Sequence, residues 1–315
     1  MTARIIKPIL LISSTLLAFA LIAAYSAPPV ESQTAASTVP ITTVATVLGP
    51  NFTAPPVLGK DDVVVHVSGR VADITAWNQA QGDRGALHLA ILIDDGANVG
   101  PRLQELRHFV QTQSPSASVG VFYASNGSTL TAAPFSTNHE MVASKVRVTF
   151  GPTNASTSVY LSLIDVIKKL QPMSGRREIL LISDGHDPLR GDLEDPDVDH
   201  VASAAQKSGI VIHTLYTQVG RRLRPASFRQ SLAQGNLIKV SSASGGQSFF
   251  QGLETPVSYT PYLNQLDMVL HNQYFLTFNT ARSAKKKGQF RSLKVTTEQR
   301  NVAITAQSDV FVPGQ

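Results

Sequence analysis

Two aspartates stand at the ends of long apolar runs, and each could supply oxygen ligands to a metal ion. Asp94 closes the run HLAILID, and Asp184 closes the run REILLISD. A third oxygen donor, Thr157, lies in the segment GPTNASTSV, just before a helical pattern of apolar residues. Ligand sets made only of oxygen suit hard cations such as Mg²⁺, which keep several of their waters. These residue types therefore predict a divalent-cation site if the fold brings the three side chains together.

Neighbouring polar residues extend this cluster and leave other interpretations open. Asp95 adds a third acid beside the first, and His186 and Asp187 closely follow the second. A metal-dependent hydrolase could use the same acids, but the sequence nominates neither a nucleophile held against a base nor a lysine beside the acids. A structural interpretation competes with both, because an aspartate before a helix commonly caps it and Asp-Gly commonly ends a strand.

The elements that would position these residues alternate between strand and helix. Buried strands are predicted from the apolar runs at 88–93, 117–124, 177–185 and 210–217. The turn signal Asn126-Gly127 predicts that 128–135 returns as an antiparallel edge strand. Helical patterns lie at 103–110, 159–170, 197–208, 225–234 and 261–271. This alternation predicts an α/β fold with a Rossmann-like, doubly wound, mostly parallel sheet flanked by helices.

Such a sheet predicts where a ligand would bind. Ligands of doubly wound sheets bind beyond the carboxyl ends of the strands, at the point where the strand order reverses. Asp94 and Asp184 should therefore face one crevice if their two strands are neighbours at that point.

The two ends of the chain follow other patterns. Residues 1–26 have a basic start, a long apolar stretch and small residues near the end, which predicts a signal peptide or an uncleaved membrane anchor. Residues 27–60 are rich in Pro, Ser and Thr and predict an extended linker. We expect a β-hairpin element over 61–86, the α/β domain over 87–272 and a C-terminal β extension over 273–315.

Composition limits the classes of partner and compartment. The 315-residue chain is 43% hydrophobic and 16% charged, as ordinary globular proteins are. Its formal charge is +5, but Arg4 and Lys7 in the export segment supply two of these charges, and the remaining excess is too scattered to predict a nucleic-acid partner. There is no cysteine, which excludes a disulfide framework and a lipid-modified cysteine. We expect an exported protein that is periplasmic, secreted or tethered to the membrane by its N-terminal segment.

Several segments in order resemble one family. They are DDVVVHVSGRVADITAWN, LAILIDD, STSVYLSLIDVI, RREILLISDGHD, SASGGQSFF and LDMVLHNQYFLTFN, running from about Asp61 toward the C-terminus. Together they resemble the von Willebrand factor type A (VWA) domain, and more narrowly the VWFA-related proteins of acidobacteria. The resemblance implies a Rossmann-like fold without enzymatic activity that binds proteins, often through a metal-ion-dependent adhesion site.

The resemblance also assigns roles to particular residues. In the family's adhesion site the first strand ends in Asp-x-Ser-x-Ser, the next loop supplies Thr, and a later strand supplies Asp. Asp94, Thr157 and Asp184 match the first acid, the threonine and the second acid, while Gly96 and Asn98 occupy the two serine positions. Glycine offers no side-chain oxygen, and an asparagine amide oxygen serves Ca²⁺ better than Mg²⁺.

The sequence therefore predicts an exported VWA-type protein-binding module with a degenerate adhesion site, with a metal-dependent hydrolase and a purely structural envelope protein as alternatives. Mg²⁺ or Ca²⁺ would be held by Asp94, Asn98, Thr157 and Asp184, although the lost hydroxyls favour the structural interpretation of these residues. An unidentified protein partner would contact Asp95, Gly96, His186 and Asp187. A membrane would be contacted only through the N-terminal segment.

Overall fold

The structure is a computed structural model that describes residues 37–151, 158–187, 196–218 and 227–314. Residues from Ser37 onward form one compact unit. Within the described ranges, no helix combines the length and hydrophobicity that crossing a bilayer requires.

The described residues form thirteen strands, which belong to two sheets. The strands are β1 (Thr38–Leu48), β2 (Val63–Val67), β3 (Arg70–Gln79), β4 (Leu87–Asp94), β5 (Ser118–Ser125), β6 (Ser128–Ser136), β7 (Arg176–Ser183), β8 (Val211–Tyr216), β9 (Ser248–Phe249), β10 (Gln273–Ala281), β11 (Gln289–Thr297), β12 (Ala303–Ala306) and β13 (Asp309–Val312).

Six α-helices lie between these strands in the described part of the chain. They are α1 (Leu103–Gln111), α2 (His139–Ser144), α3 (Val159–Leu170), α4 (Pro196–Ser208), α5 (Ser227–Ser244) and α6 (Thr260–His271). Short 3-10 turns cover Pro50–Phe52, Lys60–Asp62, Gly82–Gly85 and Gly100–Arg102.

The first sheet has the strand order β6-β5-β4-β7-β8-β9, and all of its pairs except β5–β6 are parallel. Its central strands are buried on both faces because helices cover both, which explains their continuous apolar runs. Leu89 and Ile91 of β4 share a core with α1, α2 and α6. Leu92, on the opposite face, shares a second core with α3, α4 and α5. The predicted doubly wound, mostly parallel sheet is confirmed for this part of the chain.

Local sequence explains several element ends. Asn126 and Gly127 both have positive φ, 49° and 75°, which is the backbone that a two-residue hairpin turn between β5 and β6 requires. The Asn138 side chain accepts from the backbone N–H of Met141 and begins α2, a six-residue helix that the sequence patterns did not predict. The α5 helix also continues ten residues beyond the predicted end at 234, to Ser244.

The second sheet is antiparallel, with the order β12-β1-β10-β3-β2-β11-β13. The sheet is curled, and its two end strands, β12 and β13, are separated along the chain by only Gln307 and Ser308. The curled sheet encloses a third core, which includes Val65, Leu276 and Phe278. The one tryptophan of the chain, Trp77, stacks on Tyr274 at 4.4 Å between ring centroids.

This second sheet corrects two predictions. Residues 38–48, predicted as part of an extended linker, form the strand β1, which pairs with β10 over nine residues and with β12. The hairpin expected within 61–86 is present as β2 and β3, but it is not a separate element, because β10 and β11 of the tail pair with it on either side. The predicted small terminal β-element is thus part of a seven-stranded sheet drawn from both ends of the chain.

Candidate functional site

The strands that end in the two predicted acids are neighbours where the strand order reverses. β4 and β7 pair in parallel, with Ile93 opposite Ile182. From β4 the chain continues to β5 on one side, and from β7 it continues to β8 on the other side. Asp94 and Asp184 therefore stand at the edge where doubly wound sheets bind ligands.

The Asp94 carboxylate is fully buried and held by its surroundings. Its Oδ1 accepts from the backbone N–H of Gly96 at 3.0 Å, and its Oδ2 accepts from the Ser183 hydroxyl at 2.9 Å. The Ser183 oxygen in turn accepts from the backbone N–H of Gly185 at 3.1 Å. Asp94 thus connects the turn after its own strand to the end of β7.

Asp184 begins a tight turn that packs against α5. Its Oδ1 accepts from the backbone N–H of His186 at 2.9 Å, and the residue is 6% exposed. Gly185 has a φ of +74°, and a Cβ there would lie 2.5 Å from the carbonyl oxygen of Ala233, so a larger residue is excluded both by conformation and by space. The Tyr160 hydroxyl donates to the Gly185 carbonyl at 2.8 Å. The turn that carries Asp184 is therefore fixed from two sides.

Asp187 lies inside the fold rather than on its surface. It is 5% exposed, and its Oδ2 accepts a short hydrogen bond from the Ser158 hydroxyl. Ser158 is the N-cap of α3 and also accepts from the backbone N–H of Leu161. Asp187 thereby ties the loop after β7 to the start of α3. Thr157, predicted as a metal ligand or a helix cap, lies outside the described residues.

Asp95 forms a buried ion pair. Arg147 donates to both of its carboxylate oxygens at 2.8 Å, and the backbone N–H of Phe150 donates to Oδ1 at 3.1 Å. The Arg147 guanidinium lies 3.8 Å from the Tyr123 ring centroid and 4.1 Å from that of Phe150. Hydrogen bonding to Asp95 raises the pKa of Arg147, while burial raises the pKa of the Tyr123 hydroxyl.

These positions correct part of the predicted partner surface. Asp95, Gly96 and Asp187 are buried, so none of these three residues offers a surface to a partner. Asn98 is exposed, and His186 is half-buried. The sequence shows that these residues follow strands, but Arg147 lies 52 residues from Asp95, so no local pattern predicts that ion pair.

The rim of this edge carries two exposed apolar side chains that the sequence did not single out. Val148 is 57% exposed and Phe150 is 63% exposed, on the segment that follows Arg147. The segment is held on the loop after β4, because Thr149 donates to the carbonyl of Ala97 and Gly151 donates to that of Asp95. Val148 and Phe150 therefore supply the exposed apolar area on this segment of the rim.

The described donors fit a metal ion only in part. Asp94 and Asp184 supply carboxylates at one edge, but both Asp94 oxygens accept protein hydrogen bonds, Gly96 has no side-chain donor and Asn98 is exposed. Within the described ranges, no three His, Cys, Asp or Glu side chains are grouped so that they could share an ion. The donor set present suits contact through waters better than direct coordination.

A second polar pair is buried between the strands β7 and β8 of the first sheet and the elements that cover them, away from this edge. His213 Nε2 is 2.8 Å from Glu178 Oε2, and both side chains are fully buried. His213 Nδ1 accepts from the backbone N–H of Gln247 at 3.1 Å, so Nε2 carries the proton and donates to Glu178. His213 is thus a hydrogen-bonded core histidine.

Known proteins show only low sequence identity and low structural similarity to this chain. No family model matches the chain, and no curated protein matches it. An aerotolerance-related membrane protein from Bacteroides fragilis is 12% identical, with 58% of this chain and 98% of that chain covered and a TM-score of 0.41. The VWA domain of SpRpn10 is 13% identical over 55% and 96% of the two chains, with a TM-score of 0.37.

The ArnB paralog VWA2 from Sulfolobus acidocaldarius is 10% identical over 88% of this chain and 76% of that chain, with a TM-score of 0.36. VWA domains are thus among the similar structures, but overlaps at this level do not assign the chain to a family. The α/β class rests on the chain's own strand order and parallel pairing.

Proposed function

We propose that this chain is an exported VWA-type module that binds a protein partner at the carboxyl edge of its parallel sheet and does not act as an enzyme. The observation that carries the proposal is the position of Asp94 and Asp184 on adjacent strands where the strand order reverses. The resemblance of the motifs around both acids to the VWA adhesion site supports the same assignment.

The contact surface in this proposal differs from the one expected from sequence. Val148 and Phe150 supply exposed apolar area, Asn98 and His186 supply polar groups, and the buried acids hold the loops that present them. In protein interfaces a few buried anchor side chains account for most of the affinity, and the surrounding contacts are nearly neutral in energy but exclude water. Asp95 and Asp187 act here as positioning residues.

A metal ion is a separate part of the proposal. Asp94 and Asp184 would hold Mg²⁺ or Ca²⁺, with Asn98 as a further oxygen donor, and the ion would supply positive charge for a partner's carboxylate. Isothermal titration of the full chain with Mg²⁺, Mn²⁺ and Ca²⁺, with Asp184→Ala as the control, tests this part. If the wild type releases or absorbs no heat with any of the three ions, the metal part of the proposal is refuted and the apolar rim alone would form the contact.

Protein binding is tested in cells of the native host, which express the protein with a photo-crosslinking amino acid at position 150. The matched control carries it at Val57, which is also exposed but lies in the connection between β1 and β2. We expect one discrete cross-linked species from position 150 that is absent from position 57 and weakened by Asp184→Ala. Equal cross-linking from both positions would refute the proposed surface, and turnover above background in a phosphatase and esterase panel with metal present would favour the hydrolase.

A further inference from the structure

One end of the curled second sheet carries a dense group of positive charges that the proposed contact edge does not use. Arg282, Lys285, Lys286 and Lys287 lie in the connection between β10 and β11, and all four are exposed. No acidic residue occurs between Asp267 and Glu298 in the sequence. We call these four residues, together with Arg70, the basic end.

The lysines stand on a fixed turn. The backbone N–H of Gly288 donates to the Lys285 carbonyl at 2.8 Å, and that of Lys285 donates to the Ser283 hydroxyl at 3.1 Å. Ser283 is fully buried, and its backbone N–H donates to the carbonyl of Pro313 at 3.1 Å. Gly288 has a φ of +75°, and a Cβ there would lie 2.5 Å from the Phe311 ring. The three lysine side chains therefore extend from an ordered turn.

The strand register places Arg70 and exposed apolar groups at this same end. β10 and β3 are antiparallel with Asn279 opposite Asp73, so the last residues of β10 run beside the first residues of β3. Val71, next to Arg70, is 71% exposed, and Phe290 at the start of β11 is 40% exposed. Against the five cations of the basic end, Asp73 contributes one nearby negative charge.

The start of β1 is also at this end. Thr38 pairs with Ala281, and the backbone N–H of Arg282 donates to the carbonyl of Ser37 at 2.9 Å. In the sequence, residues 25–36 alone separate this point from the apolar run of Pro8–Ala24. The strand that follows the apolar N-terminal run in the sequence therefore begins at the basic end, next to Ala281 and Arg282.

We propose that the basic end binds the anionic headgroups of a membrane surface. Lysine and arginine near such a surface each add about 1 kcal/mol of attraction, and Val71 and Phe290 can enter the headgroup region between them. Lysine ammonium groups act as point charges without planar recognition of a particular ligand, which suits a diffuse layer of phosphates. The proposal is independent of the function assigned to the carboxyl edge of the first sheet.

Vesicle flotation of the full chain tests this proposal. The probes are vesicles of phosphatidylcholine alone and vesicles that also contain phosphatidylglycerol, so that any uptake of the apolar N-terminal run is common to both. The test variant is Lys285→Gln/Lys286→Gln/Lys287→Gln. The matched control is Lys60→Gln/Lys145→Gln/Lys168→Gln, which removes three exposed lysines elsewhere with the same change in net charge.

We expect the wild type to prefer the anionic vesicles and to lose that preference as salt is raised. The test variant should reduce the preference about a hundredfold, at about fivefold for each lysine, while the control variant keeps it and all three proteins share one unfolding midpoint. Equal binding of the wild type to both vesicles, or equal losses in the two variants, would overturn the proposal. Tighter, lysine-dependent binding to duplex DNA than to anionic vesicles would overturn it too.

Discussion

Replacing Arg147 with alanine tests whether the ion pair with Asp95 holds the loop at the carboxyl edge. The substitution removes both 2.8 Å hydrogen bonds and leaves the Asp95 carboxylate, whose side chain is 5% exposed, with the Phe150 N–H at 3.1 Å as its remaining described partner. Removing one member of a buried ion pair costs about 3–5 kcal/mol. Because the Arg147 side chain is 29% exposed, water screens part of the effect, and we expect about 3 kcal/mol.

Urea unfolding followed by circular dichroism measures this loss, and Arg107→Ala is the matched control. Arg107 donates from Nε and Nη2 to the Val146 carbonyl at 3.1 and 2.8 Å, so it holds the same segment without pairing with an acid. Its removal should cost about 1 kcal/mol.

A second substitution separates the charge from the packing. Adding Asp95→Asn to Arg147→Ala removes the uncompensated charge and should restore about 1 kcal/mol. Equal losses for Arg147→Ala and Arg107→Ala, or no recovery in the double variant, would show that the ion pair does not stabilise this loop.

Three further perturbations follow from other contacts. Glu105→Gln should lower stability by about 1 kcal/mol at neutral pH, because this carboxylate accepts the N-terminal hydrogen bonds of α6. Burial raises the pKa of Glu105, but the hydrogen bonds from Ser258 and Thr260 lower it more, so the pKa lies below the ordinary value for glutamate. The advantage of the wild type should therefore vanish in thermal unfolding as pH falls through that lowered pKa. Gly185→Ala should cost about 2 kcal/mol or more, since its Cβ would meet the Ala233 carbonyl; an unchanged urea midpoint would contradict the turn geometry. His213→Ala should cost about 3 kcal/mol, because Glu178 loses its buried partner, and Glu178→Gln in the same chain should recover part of it.

The alternation of apolar runs and helical patterns was sufficient to predict the first sheet. Strands buried on both faces must be apolar throughout, and helices that cover them must repeat apolar residues at helical spacing, so both signals are local. The edge hairpin was predictable for the same reason, because Asn126 and Gly127 adopt positive φ more readily than other residues do. The position of Asp94 and Asp184 at the strand ends followed directly from these runs.

The second sheet could be recognised only in part. Its strands β2, β3, β10 and β11 carry alternating apolar patterns, and these patterns predict separate small elements. β1 resembles a linker in composition, with much threonine and no charge, yet Val47 is fully buried. Its partner strand, β10, begins more than two hundred residues later. A short segment of sequence carries no signal of a strand pairing over that separation.

What the sequence alone determined is the class of fold, the alternation of buried strands and helices along the chain and the two acids at the strand ends. The tertiary structure decided which groups near those acids reach the surface. In the sequence, Asp95 and Asp187 have the same pattern as exposed ligands. In the fold both are buried, and Arg147 and Ser158 donate hydrogen bonds to them, while Val148 and Phe150 are exposed. The physical reason is that burial and charge pairing depend on contacts between distant segments, whereas strand and helix patterns depend on neighbours along the chain.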